Sequence, residues 1–353
     1  MTSDQTVNWP EFVKVINAHN NFLLVSHVRP DCDALGSELG MAGVLEALGK
    51  NVCIVNGQAT PPNLAFIDPD NKIKTINEDV QPDELGDIDC LMVLDTSAWQ
   101  QLGPMRPVIE ASTATKIILD HHVSEDDLGA TPFKNTKAEA TGRLVVEAAE
   151  QLGVELTPEI ATPVFAAIAT DTGWYRFNST TSYTYQVAAK LIDAGASPPE
   201  IYKELYEQDT LGRVRLRGRI LERFTTELDG RLAHTYVLGT DFAETGALPS
   251  DTEDAINAGL GIAGAEVAVI LVGQPQGGFK ISFRSRCALD CSELATSGSA
   301  EFPDNSTNNV PGASATLTWR VSNPQSPRLE RPTSDVLSRS KAYKPSLSTQ
   351  RSI

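Results

Sequence analysis

FLLVSHVRPDCDALGS, residues 22–37, is the stretch from which the fold can be read. Phe22 to Val25 are apolar without alternation, the pattern of a strand buried on both faces, and Ser26 closes the run. A short polar turn follows. From Ala34 to Leu48, the leucines at 35, 39, 45 and 48 fall on helical spacing. Strand, acidic turn and helix open a parallel α/β unit. Working outward, Val52–Asn56, Cys90–Asp95 and Lys116–Asp120 read as further strands, and Glu139–Leu152, Pro158–Thr170 and Ser182–Ala194 as helices. Apolar strands separated by helices predict a parallel sheet covered on both faces.

Gly195 to Pro199 then punctuate the chain. Pro199–Glu227 reads as helical and able to join two domains. Within it Arg213, Arg215, Arg217, Arg219 and Arg223 form a dense basic run, either a solvated linker face or a phosphate-facing surface. Beyond it, Leu232–Leu238, Val267–Val272 and Phe279–Arg284 read as strands and Thr252–Leu260 as a helix. The expected architecture is α/β. An N-terminal parallel-sheet domain (1–195) has helices on both faces. A helical linker (196–228), a smaller α/β C-terminal domain that ends short (229–296) and a tail (297–353) follow.

Charge bounds the function. The 353 residues carry 29 Lys+Arg against 46 Asp+Glu, a net of −17. Residues 297–353 hold 7 Lys+Arg and 4 Asp+Glu; the rest holds 22 and 42, so the body carries −20 and the tail +3. An extended groove for long nucleic acid is disfavoured, because such binding rests on Lys and Arg neutralising phosphates. A short anionic substrate needs only a local site. With 12 Ser and 6 Pro in 57 residues, the tail is expected to be disordered. No apolar run approaches the ~18–20 residues of a membrane span, and no signal peptide is visible. The lack of such a run suggests no membrane association, and five scattered cysteines (32, 53, 90, 287, 291) suggest a reduced, cytoplasmic protein.

The expected strand ends carry the chemistry. His27, Asp31 and Asp33 follow the first strand, and Asp95 ends the third. Asp120-His121-His122 ends the fourth, and Asp171 follows the helix over 158–170. Open parallel sheets bind ligands at the carboxyl ends of their strands, so these segments converge on one edge. Carboxylates gathered there would repel one another unless divalent ions neutralised them. Mixed imidazole and carboxylate donors suit Mn2+, Zn2+ or Fe2+. One carboxylate shared by two ions ~3.5–4 Å apart makes a two-metal clamp for displacement at phosphorus.

The segments SHVRPDCDALGS, VLDTS, LDHH and TDTG, in this order, resemble the four motifs of the DHH phosphoesterase superfamily. The segment GWYRFNSTTSYTYQVAAKLIDAGASP resembles that superfamily's oligoribonuclease and PAP-phosphatase branch, and the likeness spans about residues 11–296. The resemblance implies one metal held by His27, Asp31 and Asp95, and a second by Asp33, Asp95, His121 and Asp171, with Asp95 bridging. His122 would contact the scissile phosphate and assist protonation of the leaving group. Asp120 would orient a ligand histidine, or merely end its strand. Arg176 would reach substrate or stand as a surface arginine. Arg284 and Arg286 would line a nucleotide pocket or alternate outward along a strand. The implied cofactors are two divalent ions, Mn2+ first and Mg2+ or Co2+ as alternatives. The implied substrates are short oligoribonucleotides cut to 5′-mononucleotides and 3′-phosphoadenosine 5′-phosphate cut to AMP. A homodimer is a family expectation. Competing readings are a RecJ-like single-strand exonuclease, a cyclic-dinucleotide phosphodiesterase, an inorganic pyrophosphatase, and a catalytically weak metal- and nucleotide-binding protein.

Two departures from the family pattern stand out. Cys32 occupies a position that is most often Gly, and is read as a tolerated small side chain rather than a ligand; Cys287-x3-Cys291 is read as structural. After Thr296 the glycine-rich GGGH-type continuation that holds substrate in the family is missing. The Ser, Pro and Arg bias of the tail suggests a shifted reading frame, which resequencing the gene would decide.

Overall fold

The computed structural model describes residues 7–123, 126–252, 255–275, 277–287 and 314–319. The chain divides into two compact units, Met1–Gln208 and Asp209–Ile353.

The first unit is built on β1 (Asn21–Val25), β2 (Asn51–Asn56), β3 (Ile73–Thr75), β4 (Cys90–Leu94), β5 (Thr115–Asp120) and β6 (Thr131–Lys134), in the order β3-β2-β1-β4-β5-β6. Every pairing is parallel. Successive strand residues enter opposite cores, as the pleat requires. Phe22, Leu24, Met92 and Leu119 join one core, and Leu23, Val25, Leu91, Val93 and Ile118 join the other.

The helices are α1 (Trp9–Ala18), α2 (Cys32–Ala47), α3 (Arg106–Ala111), α4 (Thr141–Leu152), α5 (Pro158–Asp171), α6 (Ser182–Asp193) and α7 (Pro198–Tyr206). Ile109 of α3 packs with the second core, whereas the buried residues of α1, α2, α4, α5, α6 and α7 pack with the first. Both faces are therefore covered, as expected. The strand order reverses at β1, which has β2 on one side and β4 on the other. The crevice beyond the carboxyl ends of β1 and β4 is the usual ligand position of such sheets.

Two packing features fix the elements around that crevice. Gly36 and Gly40 let α2 lie directly on α5. A Cβ at Gly36 would sit 2.3 Å from the Pro163 carbonyl oxygen, and one at Gly40 would sit 2.2 Å from Val164 Cγ2. The first turn of α4 meets the Asp33 carboxylate, which accepts from Thr141 N–H at 2.8 Å and Gly142 N–H at 2.9 Å. These N–H groups have no partner inside the helix, so a carboxylate from α2 completes α4.

The second unit contains α8 (Leu211–Glu222), β7 (Thr225–Glu227), β8 (Leu232–Val237), α9 (Gly239–Thr245), α10 (Asn257–Leu260), β9 (Val267–Gly273), β10 (Phe279–Ser285) and β11 (Ser314–Trp319). Its sheet runs β11-β10-β9-β8-β7; β8 and β9 are parallel and the other pairs antiparallel. The three strands expected here are present. The continuous helix expected over 199–227 is instead α7, α8 and a strand. Thr210 caps a new helix by accepting from Arg213 N–H at 3.1 Å, and Thr225 and Thr226 extend to pair with β8. The helix expected over 252–260 shortens to α10, where Gly259 and Gly261 weaken propagation. Of the tail expected to be disordered, Ser314–Trp319 pairs with β10, and the remainder lies outside the described residues. Cys291 also lies outside them. Among the described residues no helix is long and apolar enough to cross a membrane.

Candidate active site

The loop after β1 is tied at its start to the end of β2. Asn56 Oδ1 accepts from the Ser26 N–H at 2.9 Å and its hydroxyl at 3.1 Å, fixing the strand end just before His27. The His27 Nδ1 lies 3.0 Å from the Val28 carbonyl oxygen, which leaves Nε2 to face the carboxylates. Asp31 caps α2, its Oδ1 accepting from the N–H groups of Asp33 (3.0 Å) and Ala34 (3.1 Å). Asp33 follows in the first turn of α2 and also receives the Ser37 hydroxyl at 3.2 Å. Candidate ligands thus double as helix caps, which fixes their rotamers.

Asp95 stands at the end of β4 with a left-handed backbone, φ 61°. A buried non-glycine residue there stores about 1–3 kcal/mol of strain, a cost met mostly at functional sites. Its carboxylate is 2 % exposed and accepts from the Thr141 hydroxyl at 2.9 Å. Asp171 is the last residue of α5, so the α2–α5 packing sets its position. The His121 Nδ1 is held 3.1 Å from the Ala138 carbonyl oxygen. Such a bond to one ring nitrogen orients the other for a metal.

The distances are those of a ligand shell. His27 Nε2 is 3.4 Å from Asp95 Oδ2 and 3.8 Å from Asp31 Oδ1. His121 Nε2 is 3.5 Å from Asp95 Oδ1, 3.7 Å from Asp33 Oδ2 and 3.7 Å from Asp171 Oδ2. These separations are too long for good hydrogen bonds. Two donors each ~2.1 Å from one tetrahedral ion stand ~3.4 Å apart, which matches. Three interlocking sets result, His27–Asp31–Asp95, Asp33–His121–Asp171 and Asp95–His121–His122, with donor atoms within 4.8 Å in each.

The electrostatics point the same way. Among the described residues no Lys or Arg pairs with Asp31, Asp33, Asp95 or Asp171. Burial, then the charges of Asp33, Asp31, Asp171 and Asp120, raise the Asp95 carboxyl well above the usual range. Burial, then Asp33 and Asp31, push Asp171 up to about 8, with His122 opposing. Four crowded carboxylates of this kind want added positive charge, and two divalent ions would supply it. The donor set therefore fits the metals that the motifs imply.

His122 is organised differently. Asp120, fully buried, accepts from both the backbone N–H and the ring Nδ1 of His122, each at 2.9 Å. Asp120 thus orients His122, whereas His121 is oriented by a backbone carbonyl. Burial works against ionised Asp120, but those hydrogen bonds and the charges of His122 and Lys134 hold it at about 2. Burial likewise opposes protonation of His122, yet the hydrogen bond and charge of Asp120 outweigh it and raise the His122 pKa. The His122 Nε2 has no hydrogen-bond partner among the described residues, and the side chain is 45 % exposed.

The three arginines expected at the substrate have these surroundings. Arg176 is exposed, and its Nε donates to the Gly173 carbonyl at 2.7 Å. Arg284 and Arg286 belong to the second unit; Arg284 donates to Asn257 Oδ1 and Arg286 is exposed. In the arginine run of α8 and its C-cap, Arg213 and Arg217 pair with Asp209, Arg219 with Asp241 and Glu244, and the capping Arg223 with Asp241. Arg219 and Arg223 thus close on the buried Asp241 within the same unit. Burial pushes the Cys32 thiol up to about 12, against a hydrogen bond from Thr170. Thr141, Asn56 and Lys134 were not singled out by sequence. Thr141 opens a periodic apolar helix and could have been noticed as its start; Asn56 and Lys134 carry no local signal.

Residues 21–168 match the family model described as "DHH family, N-terminal domain". The chain is 30% identical over 295 residues to a Thermus thermophilus protein, with 83% of each chain covered. It belongs to the DHH family and is a hydrolase of the phosphoesterase class. That Thermus relative is named "Bifunctional oligoribonuclease and PAP phosphatase NrnA". The Bacillus subtilis protein of the same name is 27% identical over 282 residues, covering 78% of this chain and 85% of that one. Among solved structures, an exopolyphosphatase-related protein from Bacteroides fragilis superposes with a TM-score of 0.75 at 25% identity, covering 81% of this chain and 85% of the other.

Proposed function

We propose that the chain hydrolyses short oligoribonucleotides to 5′-mononucleotides and 3′-phosphoadenosine 5′-phosphate to AMP, in the cytoplasm, with two Mn2+ ions. The observation that carries this is the three interlocked His and Asp sets, two of which share Asp95 and two His121. The substrates come from the names of the relatives of Thermus and Bacillus, which this chain matches over most of its length. Its free cysteines at 32, 53, 90 and 287 suit a reducing compartment.

His27, Asp31 and Asp95 would hold one ion, and Asp33, Asp95, His121 and Asp171 the other. When bound, the pair supplies Lewis acidity at phosphorus and stabilises developing oxygen charge. His122 would contact the scissile phosphate and hold a proton at Nε2 for the leaving oxygen, while Asp120 keeps its ring oriented. Asp95 and Asp120 complete the catalytic set. Arg176, Arg284 and Arg286 are proposed to touch the substrate.

Incubation of the chelator-treated protein with Mn2+ and a labelled diribonucleotide, with pAp, or with long single-stranded DNA tests this reading. AMP is expected from pAp and 5′-mononucleotide from the dinucleotide, with DNA left intact. Processive degradation of the DNA, or product formation without a divalent ion, would overturn it.

A further inference from the structure

Lys134 ends β6 beside the carboxylate that orients His122. Its Nζ lies 3.1 Å from Asp120 Oδ2 and donates to the Ser97 hydroxyl at 2.6 Å. That hydroxyl donates onward to the same Oδ2 at 2.9 Å. The lysine side chain is only 9 % exposed, and Asp120 is fully buried. The two carboxylate oxygens therefore divide their work. Oδ1 takes both hydrogen bonds from His122, and Oδ2 is clamped by the ammonium and the serine. A buried carboxylate whose counter-ion is removed becomes costly to keep in place. Without the clamp Asp120 could turn, and His122 would lose the bond that sets its ring.

We propose that Lys134, through Asp120, is the positioning residue for His122. This rests on the reading of His122 as a group that touches the scissile phosphate. The lysine is too far along the relay to need substrate contact, so its effect should fall on kcat rather than KM. Its pull is electrostatic and donor-based, so arginine should replace it better than an isosteric apolar chain does.

The test is a double-mutant cycle on the full chain, loaded with Mn2+ and assayed with a diribonucleotide. Lys134→Met should lower kcat roughly 10–100-fold, with KM within about threefold and bound metal unchanged, in line with the loss of an outer-shell partner. Lys134→Arg should recover most of that loss. In the His122→Ala background Lys134→Met should cost less than about threefold more, because residues acting through one another are not additive. Equal fold-losses in both backgrounds, or full activity in Lys134→Met, would overturn the inference while leaving the His122 reading standing. Wild-type activity in His122→Ala would overturn that reading and the inference with it. Should Lys134→Met fail to fold, Lys134→Gln replaces it in the same cycle with the same outcomes.

Discussion

Asp95 concentrates the account at the residue scale, because it is buried, conformationally strained and shared between two donor sets. Asp95→Ala should cut kcat at least 1000-fold while the protein remains folded, read from steady-state kinetics alongside circular dichroism. A second buried acid makes an independent prediction. Glu38 on α2 accepts from Asn56 Nδ2 at 2.7 Å, and burial, opposed by Asn56 and Ser26, pushes its carboxyl up to about 8. The folded state then keeps a proton that the unfolded chain loses near pH 4–5. Stability from this group is present below that pH and falls as pH rises toward 8, by roughly 4–5 kcal/mol at ~1.4 kcal/mol per unit. Glu38→Gln should flatten the decline of Tm across pH 5–8, and an unchanged slope would refute a protonated Glu38. The acids and histidines of the strand ends were legible in the sequence because their spacing survives in one dimension. The partners that orient them were not. Lys134 lies 14 positions beyond Asp120, and Asn56 lies 30 beyond Ser26, so folding alone makes them neighbours.

At the scale of elements, the site depends on how α2 meets α5. Gly36 and Gly40 bring the two helices into contact, so Asp33 at the start of one and Asp171 at the end of the other face His121. Gly36→Ala should cost about 1–3 kcal/mol by overpacking. It should also weaken Mn2+ affinity, because any shift of α5 carries Asp171 with it; calorimetry of unfolding and of metal binding would measure both. The long strands and helices were readable since both faces of β1, β4 and β5 are buried and their apolar runs are unbroken. β3 and β6 escaped notice. They are short edge strands in which Lys74 or Pro132 interrupts the apolar run, and pairing with a neighbour rather than local pattern makes them strands. The break between α7 and α8 was equally hidden, because Glu207 to Thr210 keep a helical polarity while Thr210 caps a new start.

For the whole molecule, the net charge of −17 argues against a long polyanion track and leaves room for a small local site. The KM for a diribonucleotide should therefore depend weakly on salt, with a log–log slope below about 2, since few phosphate contacts are made. A steep slope, or affinity that grows with oligonucleotide length beyond a few residues, would speak for an extended groove. Arg284 lies on β10 and Arg286 just beyond it; if the proposed substrate contact of Arg284 holds, Arg284→Ala should raise KM several-fold with little change in bound metal. Counting bound ions tests the central claim most directly. Titration of the metal-free chain with Mn2+ should give two equivalents per chain for the wild type and fewer than one for Asp95→Ala. A wild type that binds none, or an Asp95→Ala variant that still binds two, would contradict a shared-carboxylate, two-ion centre.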